Sequence, residues 1–140
     1  MNFTPQTNRH RRLVDHIETK GGSKTVCVST ALSFFGIMPD EYRYTSSKKK
    51  VDSFVDVLRR KGYSVRSQRS KLSLKKYSTT TQVRRALKRS DFTSDDYFIF
   101  WGGQKTCGHV IVINGNGKTV IDTAPRTRWK MIKILLVEQK

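Results

Sequence analysis

Apolar positions along the chain recur first at helical spacing and then in alternation. In residues 8–19, Leu13, Val14 and Ile17 stand at i, i+1 and i+4 and predict a short N-terminal helix. The run "GGSK" then breaks the chain. From Cys27 the spacing is helical again: Val28, Ala31, Leu32 and Phe35 fall at i, i+3, i+4 and i+7, one stripe facing a core. Ser23 and Thr25 are candidate N-caps, and Gly36 is a suitable stop. A second helix is predicted over Ser47–Lys61, with the stripe Val51, Phe54, Val55 and Leu58, closed by Gly62. "YSVRS" alternates like a strand. A third helix fits Thr80–Arg89, with Val83, Ala86 and Leu87 inward and Arg84, Arg85, Lys88 and Arg89 mostly outward.

After Ser90 the pattern changes. "YFIFWGG" is a short apolar run ending in glycines, which predicts a buried strand. "GHVIVINGNGKTVIDT" predicts a hairpin around Asn-Gly-Asn-Gly, and "KMIKILLVE" a last strand. Helices first and strands afterwards predict an α+β domain, N-terminal helices packed on a C-terminal antiparallel sheet. No repeat or linker divides the 140 residues, so one domain is expected over 1–140. Within it, 1–20 forms a helical extension, 21–90 the helical part and 91–140 the sheet part.

Charge adds a surface to this outline. The formal net charge is +17, and residues 41–90 carry 16 basic side chains against the acids Glu41, Asp52 and Asp56. Such a block attracts polyanions: nucleic acid, an acidic protein face or an anionic membrane. The candidate contacts are Lys48, Lys49, Lys50, Lys75, Lys76, Arg84, Arg85, Lys88 and Arg89, with Tyr63 and Tyr77 as stacking candidates. The plainer role of such a block is a solvated surface. No run of 18 apolar residues exists, so no membrane insertion is expected. The polar start "MNFTPQTNRHRRLVDH" lacks the apolar core of a secretory signal. Two cysteines, Cys27 and Cys107, suit a reducing cytoplasm.

The chemistry lies in the hairpin and at Cys27. His109 begins the first hairpin strand and Asp122 ends the second. A two-residue turn at Gly115-Asn116 opposes them directly, and one at Asn116-Gly117 makes them diagonal neighbours on one face. A three-residue turn puts them on opposite faces. On a shared face the carboxylate can orient the imidazole and stabilise the imidazolium. Cys27, at a helix N-terminus, feels the positive end of the dipole, which favours the thiolate. Its backbone N–H can stabilise an oxyanion.

Each residue alone also has a plainer role: a buried small side chain, a satisfied strand histidine, a turn-forming Asp. Cys107 is a rival nucleophile on a loop, with no helix dipole behind it. His10, His16, His109 and the two cysteines show no metal-ligand spacing, so neither metal nor cofactor is expected.

The order of Cys at a helix start, His at a strand start and Asp on the next strand resembles papain-like cysteine peptidases. The matching stretches are "VCVSTALSFFGI", "GHVIVING" and "VIDTAPR", within about residues 20–137. The nearest resemblance is to small single-domain members related to bacteriocin-processing peptidases, many of them carried by bacteriophages. It implies a papain-like fold with a cleft between helices and sheet, and a peptidase, amidase or isopeptidase acting on a peptide or protein in a host-cell cytoplasm. Cys27 would be the nucleophile, His109 the base and acid, and Asp122 the orienting carboxylate. The family usually carries an oxyanion Gln about six residues before the Cys, where this chain has Gly21. Ser23, Lys24 or Thr25 are the candidate substitutes. The alternative is an inactive papain-like fold that serves as a basic binding module for nucleic acid or an acidic host protein.

Overall fold

A computed structural model describes residues 26–37, 50–103, 108–122 and 128–140. Its helices are α1 (Val26–Phe34), α2 (Lys50–Arg60) and α3 (Thr80–Lys88). Its strands are β1 (Tyr63–Ser67), β2 (Tyr97–Gly103), β3 (Gly108–Asn114), β4 (Thr119–Ile121) and β5 (Lys130–Gln139). The strands form one five-stranded sheet in the order β1-β5-β2-β3-β4, with every neighbouring pair antiparallel. The result is a mixed α/β fold. The helix expected over 8–19 lies outside the described residues, as do the first residues of the helix expected from Ser47.

The central strands are apolar at successive positions, and both faces of the sheet are therefore covered. Ile99, Trp101, Val110, Val112, Leu135 and Val137 join a core with α1 and α2. Their alternates Phe98, Phe100, Ile111, Ile113, Ile134 and Leu136 join a second core with Val83 and Leu87 of α3. The sheet also draws on the part of the chain expected to be helical. β1 arises within the helical part and pairs with β5, and α3 packs on the face opposite α1 and α2. A strand apolar on both sides needs a layer on each.

Local signals explain the helix ends. Gly36 at φ +82 closes α1, with its N–H on the Ser33 carbonyl and that of Ile37 on Leu32. This is the paired C-terminal motif a left-handed glycine permits. α1 buries polar as well as apolar side chains: Thr30 and Ser33 are as buried as Ala31 and Leu32. Among the side chains described in α2, Phe54, Val57 and Leu58 are buried, and Val55 lies at the edge of the stripe. α3 opens on a capping box, Thr79 accepting from the Gln82 N–H while Gln82 accepts from the Thr79 N–H.

The hairpin between β3 and β4 sets the geometry of the site. Its loop is the three-residue form, Gly115 to Gly117, with the Asn114 N–H on the Lys118 carbonyl and Gly117 at φ +81. That loop alone would put His109 and Asp122 on opposite faces. A bulge follows it: Ile113 pairs with Thr119, but Val112 pairs with Ile121. Val120 is the extra residue and is pushed outward, 38% exposed. One added residue shifts the register by one, so the bulge cancels the loop's parity and returns Asp122 to the face of His109.

Candidate active site

Three elements end at one end of the sheet. α1 brings Cys27 in its first turn, β3 starts at Gly108 with His109 next, and Asp122 directly follows β4. His109 Nε2 lies 2.7 Å from Asp122 Oδ1, and its side chain is within hydrogen-bonding reach of Cys27. With Nε2 on the carboxylate, Nδ1 is the ring nitrogen left for the thiol. Cys27 is a free thiol, and both Cys27 and His109 are buried, at 7% and 4% exposure. The three residues singled out from the sequence thus converge.

The electrostatics favour an ion pair. Burial pushes the Cys27 thiol up, but the hydrogen bond and charge of His109 and the backbone N–H groups of Val110 and Val28 outweigh it and leave the thiol below its ordinary 9.0. Burial pulls His109 down, but the hydrogen bonds to Asp122 and Cys27 and their negative charges raise it from 6.5 to about 9. The arrangement favours a thiolate beside an imidazolium whose far side meets the Asp122 carboxyl group. Cys27 is the second residue of α1, and the first backbone N–H groups of a helix lack intrahelical acceptors and can serve an oxyanion.

The stability signs follow. His109, raised, contributes stability that is present in full below 6.5 and lost as pH rises through about 9. Cys27, lowered, contributes stability that is present in full above 9.0 and lost as pH falls through its folded value. Between those limits the slopes oppose and the wild-type protein changes little. Cys27→Ala leaves only the His109 slope. Its unfolding free energy is expected to fall by about 1.5–3 kcal/mol from about pH 6 to about pH 9.5, the worth of a charged hydrogen bond. Urea titrations at both pH values check this; a variant as flat as wild type would mean that His109 and Asp122 are not an ionised pair.

One contributor escaped the sequence pattern. Trp129 lies flat on His109, ring centroids 4.6 Å apart at 20°, and is itself buried. Its Cβ packs above Gly102, where an added Cβ would come within 2.8 Å. "TRWK" precedes the last strand and carries no signal for this. Trp129 and Met131 share a face with Ile134 and Leu136 only because β5 carries a bulge at Ile132.

The remaining sequence candidates divide. Ser23, Lys24, Thr25, Lys48, Lys49 and Cys107 lie outside the described residues. Lys50 opens α2. Lys75, Lys76, Arg85, Lys88 and Arg89 are exposed. Arg84 is exposed as well, and its Nε donates to the Gly117 carbonyl at 2.9 Å, tying α3 to the hairpin loop. Tyr63 is half-buried. Its hydroxyl donates to the Phe35 carbonyl at 2.6 Å and its ring packs edge-on against Phe35. Tyr77 is exposed, with Lys76 Nζ 5.1 Å from its ring centroid.

Among the described residues, no group of three or more His, Cys, Asp or Glu side chains is placed to hold a metal ion. No described helix is long and apolar enough to cross a membrane. No family model, curated protein or solved structure matches the chain.

Proposed function

We propose that the protein is a papain-like cysteine hydrolase that cleaves an amide or isopeptide bond of a peptide or protein. The observation that carries this function is the convergence of Cys27, His109 and Asp122, with the 2.7 Å His109–Asp122 contact behind a lowered thiol. The Cys27 thiolate attacks the carbonyl carbon, and the Cys27 N–H receives the oxyanion. The His109 imidazolium gives its proton to the leaving amine, which departs and leaves a thioester on Cys27. Water then attacks the thioester, His109 takes its proton, and release of the acid restores the ion pair. Asp122 holds the ring in one orientation through both steps.

Incubation with p-nitrophenyl acetate tests it. A burst of nitrophenol and an acetyl group on Cys27, seen by mass spectrometry, are expected at neutral pH. Cys27→Ala should give neither. With an amide substrate, turnover should decline above about pH 9, where His109 loses the proton that the leaving amine needs. No acetyl group on Cys27 of the folded protein would exclude the hydrolase.

A second function has its own support. Lys75, Lys76, Arg85, Lys88 and Arg89 are all exposed, and none forms an ion pair among the described residues. They suit recruitment of a polyanion, either nucleic acid or an acidic protein, whether or not the triad turns over.

A further inference from the structure

An open groove of about 520 Å³ runs along α3, between that helix and residues 71–74. Leu72, Leu74 and Ala86 supply its apolar lining, and the two leucines rest on the core of the α3 face. Lys71, Arg85 and Arg89 line it as well, and none of its lining residues is acidic. Lys71 Nζ is held 4.6 Å from the ring centroid of Phe92, which fixes the ammonium in place. Arg85 and Arg89 stand at i and i+4 on α3 and its cap, where like charges repel. An anion between them relieves that repulsion.

The loop beside α3 is itself costly to form. Ser73 is held at φ +53, a left-handed conformation that non-glycine residues adopt at a cost. Hydrogen bonds from the Ser73 N–H to Ser70 and from the Leu74 N–H to Arg69 keep it there. The groove is separate from the triad, no member of which lines it. α3 starts at the triad end of the sheet, where Thr79 bridges to Lys130, and runs to the hairpin tip at Gly117.

We propose that this groove docks an acidic protein segment whose apolar side chains lie on Leu72, Leu74 and Ala86 while its carboxylates meet Lys71, Arg85 and Arg89. This rests on the second function above and names its partner class. Single-stranded nucleic acid binds through bases stacked on aromatic faces, and no aromatic side chain lines the groove. Aliphatic side chains among cations fit an acidic chain punctuated by leucine.

Fluorescence anisotropy with a fluorescein-labelled peptide repeating Asp-Glu-Leu provides the test, against the same peptide with Ser for Leu and against an oligothymidylate of equal charge. The leucine peptide is expected to bind most tightly. Arg85→Gln with Arg89→Gln should weaken it about tenfold. Arg60→Gln with Lys140→Gln removes the same charge at the α2–β1 end and should change it less than about twofold. Cys27 alkylation reports that each variant remains folded. Equal losses in both double variants would assign binding to the general field and overturn the groove. Tighter oligothymidylate binding, lost with Arg85 and Arg89, would make the groove a nucleic-acid site and overturn the acidic-segment partner. Binding of none of the three probes would remove the second function along with the groove.

Discussion

Iodoacetamide is expected to modify Cys27 about 10- to 100-fold faster than an ordinary thiol at about pH 6.5, because a thiol titrating near 8.5 is only about one per cent thiolate there. Cys107 serves as the reference within the same chain. The rate gain comes from His109. Its ring reaches Cys27, is raised to about 9 and so carries its proton throughout the acid and neutral range. His109→Ala removes both the hydrogen bond and the charge that oppose the burial of Cys27. Burial then dominates, the thiol rises, and most of the rate advantage is lost. Asp122→Ala should act in the same direction but less, since it withdraws only the support behind the ring. Mass-spectrometric rates at several pH values read this directly. Equal rates at both cysteines, indifferent to His109→Ala, would return Cys27 to a packing role.

Gly117→Ala is expected to cost about 2–6 kcal/mol of stability, a large share of the margin of a small domain. Two costs add. The residue sits at φ +81, which an L side chain adopts at about 1–3 kcal/mol. An added Cβ would also lie 2.2 Å from the Arg84 carbonyl oxygen, a backbone atom of α3 that cannot turn aside. Relief requires α3 or the loop to move, at about 1–3 kcal/mol of overpacking. Moving the loop also loosens the hairpin that delivers Asp122, so Cys27 should alkylate more slowly at pH 6.5 even where the variant stays folded. Denaturant unfolding beside the alkylation rate checks both consequences. A loss below about 1 kcal/mol would show that the contact between loop and helix is dispensable.

Periodicity and punctuation alone determined the local elements. Gly36 and Gly62 mark where helices end, Val83 and Leu87 point α3 inward, and unbroken apolar runs mark β2, β3 and β5. These are properties of neighbours along the chain, and a single chain displays them. The candidate chemistry was legible in the same way, since Cys27, His109 and Asp122 stand where a helix begins, a strand begins and a strand ends. Their meeting was not. The hairpin loop has the length that separates His109 from Asp122, and the bulge at Val120 reunites them. A bulge depends on pairing with a partner strand, which alternation within one strand cannot reveal. The same holds for Trp129, brought over His109 by the bulge at Ile132, and for the groove, whose two walls are joined by no local pattern. It holds too for β1, an isolated "YSVRS" in the sequence, which finds its partner in β5 across 72 residues, as the Arg66–Glu138 pair shows. Contacts of that range are set by which faces remain to be covered once the local elements exist, and that is decided by the sheet as a whole.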